Sequence, residues 1–126
     1  MKVKLITVSK EDDGPVNAIF SDYAKRLIHY CNFEYINIRP TKSLLAEEQR
    51  SSDASKLSKK ISAREEMVLL DEQGIELTSF DFAELLMKKM NSGTKGLCFV
   101  VGGAYGFHKS IYDKSSLMIS LSKMTL

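Results

Sequence analysis

Residues 97–106 read LCFVVGGAYG, a short apolar run that passes directly into a loop with three glycines. A second short apolar run, MVLL at residues 67–70, is closed by Asp71 and the turn residues Gln73 and Gly74. Both runs are too short for a helix, and neither alternates with polar residues. Such strands lie at the centre of a parallel sheet, where helices cover both faces. These two segments therefore predict the middle of an α/β domain.

Segments of strand and helix character alternate around these two runs. Further strands are predicted at residues 2–8, 33–38 and 117–121, and helices at residues 16–30, 43–63, 80–90 and 109–116. Within the second of these helices, the polar pair Ser51 and Ser52 predicts a kink or a break. The alternation continues through five strands, which predicts a mostly parallel sheet with helices on both faces, joined by right-handed crossovers.

The third predicted helix carries signals for both of its ends. Thr78 or Ser79 is suited to cap its N-terminus, and Gly93 is suited to close its C-terminus. Its apolar residues recur at three- and four-residue steps, which is typical of an amphipathic helix. They form one broad stripe that we expect to face the sheet: Phe80, Phe82, Ala83, Leu85, Leu86 and Met90.

The size and composition of the chain are those of one globular domain. Of 126 residues, 44% are hydrophobic and 27% are charged, and a chain of this length folds without a disulfide or a metal. Its longest apolar run, residues 97–101, is far shorter than the ~20 residues of a membrane helix. The start, MKVKLITVSKEDD, has charges inside its apolar stretch and no small-residue cleavage site. We therefore predict one domain over residues 1–126 and a soluble cytoplasmic protein.

Charge and cysteine content exclude several kinds of site. The 18 basic and 16 acidic residues give a net charge of +2. The basic residues are dispersed, so the composition does not argue for independent RNA binding. Cys31 and Cys98 lie far apart and neither has a CxxC partner, which predicts reduced thiols and no metal site.

The histidines and paired carboxylates have simpler interpretations than catalysis. His29 and His108 cannot form a two-histidine helical metal motif, and His29 is expected near a helix C-terminus. His108 follows the glycine loop, where a ligand contact and a structural role are both compatible with its position. The carboxylate pairs at residues 47–48 and 65–66 lie near basic residues and are interpreted as surface charge.

The glycine loop is the strongest candidate for a binding site. Ligands of a parallel sheet bind beyond the carboxyl ends of its strands, which points to Asp71, to residues 102–106 and to the residues after Leu121. Glycines let the backbone approach a ligand closely and permit positive φ. The GGxxG spacing is neither the GxGxxG dinucleotide fingerprint nor a GxxxxGK[ST] phosphate loop. A ligand-binding loop and a tight turn into the next helix both fit this spacing.

Four segments resemble, in this order, those of one protein family. They are MKVKLITVSK (1–10), VLLD (68–71), FVVGGAYGF (99–107) and SLSKMTL (120–126). Over essentially its whole length the chain resembles the small SPOUT-class methyltransferases, which methylate a pseudouridine of 23S ribosomal RNA at ring N3. The combination of GGxxGF with SLSKMT carries the specificity of this resemblance.

The resemblance implies an α/β fold whose C-terminal part is threaded into a trefoil knot, an exception to the rule against knots. It also implies S-adenosylmethionine as methyl donor, the ribosome or its 23S RNA as partner, and a homodimer with the substrate site across its interface. Neither a metal nor a membrane is implied. Carried over by matching positions, the donor contacts are Leu70, Gly102, Gly103, Leu121, Ser122, Lys123, Met124, Thr125 and Leu126.

Part of the family's pattern has no counterpart in this sequence. Family members continue after SLSKMTL with a Pro-His step, a long helix and a terminal Tyr-His segment, which complete the knot and carry the substrate-side residues. We therefore expect a C-terminally incomplete domain with an incomplete knot, and we assign no catalytic residue. Two alternatives stay open. One is a truncated, non-catalytic domain of the same family that retains only its fold or ribosome binding. The other is a flavodoxin-like nucleotide-binding protein, which the missing phosphate motifs disfavour.

Overall fold

The computed structural model describes residues 1–9, 32–42, 45–102 and 106–120. Five parallel strands run through these residues: β1 (Lys2–Val8), β2 (Asn32–Ile38), β3 (Glu65–Glu76), β4 (Gly96–Val101) and β5 (Leu117–Ser120). The same residues contain three helices: α1 (Ala46–Ser58), α2 (Ser79–Asn91) and α3 (Lys109–Lys114). The strands lie in the order β2-β1-β4-β3-β5. The predicted parallel α/β sheet is therefore confirmed.

Helices cover both faces of this sheet, as predicted. Alternate residues of the strands pack into two separate apolar clusters, and residues that alternate along a strand point to opposite faces. On one face, Phe82 and Leu86 of α2 join the cluster around Phe99, and the Phe82 and Phe99 ring centroids are 5.5 Å apart. On the other face, the cluster contains Leu57 of α1 and Ile111 of α3.

The two ends of α2 agree with the signals in the sequence. The Thr78 hydroxyl accepts a hydrogen bond from the Asp81 N–H at 3.1 Å, and the Asp81 carboxylate accepts one from the Thr78 N–H at 3.3 Å. This reciprocal pair is a capping box, so Thr78 and not Ser79 is the cap. At the other end, Gly93 has a φ of +79° and its N–H donates to the Met90 carbonyl at 3.2 Å.

The apolar stripe of α2 is narrower than predicted. Phe82 and Leu86 are buried and Leu85 is half-buried, whereas Ala83 is exposed and Phe80 is 70% exposed. Phe80 lies about 200° of helical rotation from Phe82, so its ring points away from the sheet. The prediction that Phe80 faces the core is therefore wrong.

α1 is shorter than the predicted range 43–63 and is continuous through Ser52, where a break was predicted. The Ser52 hydroxyl lies 2.8 Å from that of Thr41, and the Asp53 carboxylate accepts a hydrogen bond from the Thr41 N–H at 2.8 Å. These polar side chains hold the loop after β2 and do not compete for the helix backbone. A polar pair inside a helix here marks a tertiary contact, not a break.

β3 extends beyond the end predicted at Asp71. Its pairing with β5 shifts register, so that Leu70 and Ile75 both lie opposite Ile119. Gly74 lies within this shift, and a β-carbon built there would be 2.6 Å from the backbone nitrogen of Ile119. Gly74 is therefore a point of close contact between two strands and not a turn that ends the strand.

The remaining helix and strand predictions agree with the structure within their described parts. β1, β2, β4 and α3 lie where the sequence predicted them, and β5 ends at Ser120. The predicted helix 16–30 and Leu121 lie outside the described residues. No helix in the described part of the chain is long and apolar enough to cross a membrane.

Candidate functional site

At one edge of the sheet, the carboxyl ends of β4 and β5 lie on either side of Leu70 in β3. Leu70 of β3 is in register with Val101 of β4 on one side and with Ile119 of β5 on the other. Gly102 directly follows Val101, and Ser120 directly follows Ile119. The topology therefore brings together the starting points of the three chain segments that were predicted to contact a methyl donor.

Two of the predicted donor contacts, Leu70 and Gly102, lie among the described residues. Leu70 is 7% exposed and its side chain belongs to the core cluster on the α2 face, whereas Gly102 is half-buried at the end of β4. The other predicted contacts, Gly103 and residues 121–126, lie outside the described part of the chain.

A small cavity lies near the carboxyl ends of β1 and β4, where the strand order reverses. After β1 the chain continues to β2, on one side of the sheet, and after β4 it continues to β5, on the other side beyond β3. Connections that diverge in this way open a crevice between β1 and β4 at this edge. The cavity is lined by residues that include Val8, Arg50, Asp53, Gly102 and His108. Its volume of about 10 Å³ holds one water molecule. A ligand of nucleoside size does not fit inside this cavity and has to lie outside it.

The ring of Phe107 lies against Gly102 at the wall of this cavity. Phe107 is 7% exposed, and a β-carbon built at Gly102 would be 3.0 Å from its Cζ. The space left by the missing side chain at Gly102 is therefore taken, at least in part, by the chain itself. The GGxxG spacing fits both a ligand-binding loop and a tight turn, and it does not predict the position of the ring, which depends on how residues 106–108 turn back toward the sheet.

His108 has a structural role at the start of α3. Its Nδ1 accepts a hydrogen bond from the Ser110 N–H at 3.1 Å, which caps the helix. Because Nδ1 is the acceptor, the neutral ring carries its proton on Nε2, which lies 3.4 Å from Oε1 of Glu47 on α1. His108 therefore holds the end of the glycine loop beside α1.

Tyr112 of α3 contacts both Asp71 in β3 and the end of the glycine loop. Its hydroxyl lies 3.5 Å from Oδ2 of Asp71, and a β-carbon at Gly106 would be 3.4 Å from the same hydroxyl. Its ring packs edge-to-face on Phe107, with centroids 5.6 Å apart. Sequence reasoning singled out Asp71, Gly106 and, as the last residue of the glycine motif, Phe107. It missed Tyr112, because this side chain reaches the edge only once α3 is packed.

At the amino edge of the sheet, Lys4 and Glu65 form a nearly buried ion pair. Lys4 Nζ lies 2.9 Å from Glu65 Oε1, and the two side chains are 13% and 8% exposed. Burial raises the pKa of Glu65, but hydrogen bonds from the Ser62 N–H and from Lys4 together outweigh it, so this pKa lies below its ordinary value of 4.5. The hydrogen bond to Glu65 raises the pKa of Lys4. The interpretation of Glu65 as surface charge is therefore wrong.

Cys98 is a free cysteine in the core, which confirms the predicted reduced thiol there; Cys31 lies outside the described residues. Burial raises the pKa of the Cys98 thiol to about 12, so it is unsuited to nucleophilic chemistry. Within the described ranges, no three histidine, cysteine or acidic side chains are grouped to hold a metal ion.

Comparisons with known proteins agree with the family resemblance. A family model described as "Predicted SPOUT methyltransferase" matches residues 1–126. A protein of Flavobacterium johnsoniae named "Ribosomal RNA large subunit methyltransferase H" is 41% identical, with 99% of this chain and 82% of the relative covered. Proteins with the same name from Parabacteroides distasonis and Flavobacterium psychrophilum are 41% and 39% identical over the same shares.

Proposed function

Because the chain belongs to the SPOUT methyltransferase family, we propose that it methylates ring N3 of a pseudouridine in 23S ribosomal RNA with S-adenosylmethionine as donor. The observation that carries this proposal is the 41% identity, over 99% of the chain, to a relative named as a ribosomal RNA large subunit methyltransferase. We further propose that it acts in the cytoplasm as a homodimer, with the substrate site across the interface, and that residues 1–126 form one domain.

The donor site that we propose lies at the joint edge of β3, β4 and β5. Its contacts are Leu70, Gly102, Gly103 and the residues of 121–126, which follow directly on β5. The described residues there suit this donor: Gly102 presents backbone without a side chain, apolar residues lie beneath the edge, and the Asp71 carboxylate is next to Leu70. An apolar floor with a few polar groups is the usual composition of a small-molecule site.

The role proposed for the protein is mainly to orient the two reactants. S-adenosylmethionine, when bound, supplies a methyl group activated by its sulfonium. The ladder between β3 and β4 holds Leu70 and Gly102 at a constant spacing, and the core beneath them keeps this spacing rigid. The methyl group replaces the proton on ring N3, and S-adenosylhomocysteine is the second product.

Methyl transfer to ribosomes that lack this modification tests the proposal. The protein is incubated with S-adenosylmethionine and ribosomes or 23S RNA, and the RNA is digested and measured by mass spectrometry. We expect an increase of one methyl group on a pseudouridine, with one S-adenosylhomocysteine formed per transfer. Donor or ribosome binding without transfer would favour the non-catalytic alternative, and the absence of donor binding would overturn the proposal.

A further inference from the structure

We infer that Asp71 and Tyr112 form a bracket across the proposed donor site and act as positioning residues for the donor. The inference rests on the proposed function. It adds Tyr112, and it gives a positioning role to Asp71, the last residue of the VLLD motif, which the resemblance did not name as a donor contact. Asp71 follows Leu70 within β3, where the pairing of β3 with β4 stops, whereas Tyr112 lies on α3, 41 residues further along the chain. A contact between them ties this point of a central strand to the helix that follows the glycine loop.

The Asp71 carboxylate is held from two sides. Its Oδ1 accepts a hydrogen bond from the Gln73 N–H at 2.8 Å, and its Oδ2 lies 3.5 Å from the Tyr112 hydroxyl. The first of these bonds sets the orientation of the carboxylate within its own strand. The second contact leaves that strand and reaches α3, so Asp71 can transmit the position of α3 to the part of β3 next to Leu70.

Tyr112 contacts the end of the glycine loop through both its hydroxyl and its ring. The hydroxyl lies over Gly106, which has a φ of +75°, and the ring packs at 87° to that of Phe107. Phe107 in turn lies against Gly102. A continuous chain of contacts therefore runs from Asp71 in β3 through Tyr112 and Phe107 to Gly102 at the end of β4.

The ladder between β3 and β4, in which Leu70 pairs with Val101, sets the spacing of Leu70 and Gly102. The chain of contacts fixes residues 106–107 and α3 against that edge. A binding site that is already held in its bound geometry loses less free energy on binding. Tyr112 is 39% exposed and Asp71 is half-buried, so their contact contributes little to global stability. Loss of this contact should therefore weaken donor binding and increase local mobility more than it lowers the free energy of unfolding.

The test compares Tyr112→Phe with a matched control, Tyr35→Phe. Tyr112→Phe removes the hydroxyl and keeps the ring contact with Phe107, whereas Tyr35→Phe removes a hydroxyl that lies 2.9 Å from that of Thr7, between β2 and β1. We expect calorimetry with S-adenosylmethionine to give a dissociation constant about threefold to tenfold higher for Tyr112→Phe. The control should stay within about twofold of the wild type.

A double-variant cycle and a measurement without donor make the result decisive. In an Asp71→Ala background, Tyr112→Phe should add no further loss of affinity, and additive losses would overturn the bracket. Amide hydrogen exchange of Phe107 and His108 without donor should be faster in Tyr112→Phe than in the control. If the wild type binds the donor but Tyr112→Phe changes neither the amide exchange nor the donor affinity, the bracket is overturned and the proposed function is not. Failure of the wild type to bind donor overturns the proposed function and with it the donor role of both residues.

Discussion

The ring of Phe107 occupies the side-chain space of Gly102: a β-carbon at residue 102 would lie 3.0 Å from Cζ and 3.1 Å from Cε1 of that ring. Both residues lie at the carboxyl edge of the sheet, where the glycine was predicted to admit a ligand. The absence of a side chain at Gly102 therefore has a reason in packing, and a role in donor binding has to be separated from it by experiment.

Gly102→Ala is expected to displace the Phe107 ring and to lower the free energy of unfolding by about 2 kcal/mol. Combining it with Phe107→Leu, which replaces the ring by a smaller side chain, should recover part of this loss. Urea unfolding of the wild type, both single variants and the double variant measures the coupling. If Gly102 also faces the donor, the double variant binds S-adenosylmethionine weakly despite its recovered stability. Additive losses of stability would contradict the packing role.

Gly74→Ala should loosen the pairing of β3 with β5. The added methyl would lie 2.6 Å from backbone atoms of Met118 and Ile119, and the backbone of a paired strand moves less easily than a side chain. We expect a loss of about 3 kcal/mol in urea unfolding and faster amide exchange in β5.

Gly93→Ala is the matched control for this change. Its β-carbon would meet nothing within 4 Å, but its φ is +79°, so the expected loss of about 1 kcal/mol comes from backbone strain alone and leaves β5 exchange unchanged. Equal losses in the two variants would show that Gly74 is not a packing position.

Glu65→Gln should destabilise the protein by about 2 kcal/mol at about pH 7, because Lys4 loses its charged partner in a nearly buried position. The pKa of Glu65 is lowered on folding, so its contribution is complete above the ordinary pKa of 4.5 and is lost as the pH falls through the folded value. The difference between wild type and variant should therefore shrink in acid, as measured by urea unfolding at several pH values.

Glu66→Gln is the neighbouring control. Glu66 pairs with Lys89 at 2.8 Å, but the two side chains are 35% and 30% exposed, so we expect a loss of about 0.5 kcal/mol at about pH 7. A Glu65→Gln variant no less stable than Glu66→Gln would contradict the importance of the buried pair.

Cys98 should react with iodoacetamide only when the protein unfolds. Its pKa of about 12 leaves about one thiolate in ten thousand at about pH 8, and burial blocks access of the reagent. In a Cys31→Ser background, which leaves Cys98 as the one thiol, we expect alkylation at least about a thousandfold faster in urea. Comparable rates in the folded and unfolded protein would show that this core opens readily.

Local features of the sequence were sufficient for the central strands and for the ends of α2. Short apolar runs without polar alternation predict strands that are buried on both faces of the sheet. Thr78 and Gly93 predict the ends of α2 because each acts on backbone groups within a few residues. The resemblance that led to the family likewise depends on short motifs at the ends of strands. Such signals act within a few residues, so they can be interpreted before the fold is known.

The contacts between residues far apart in the sequence depend on the packed molecule. Gly74 resembles a turn residue until β5 lies against it, and Glu65 resembles surface charge until Lys4 and the Ser62 N–H meet it. Tyr112 reaches Asp71 only after α3 has packed on the sheet, 41 residues away along the chain. Periodicity specifies which face of an element is buried but not which distant residue will meet it, and the strand order settles that second question.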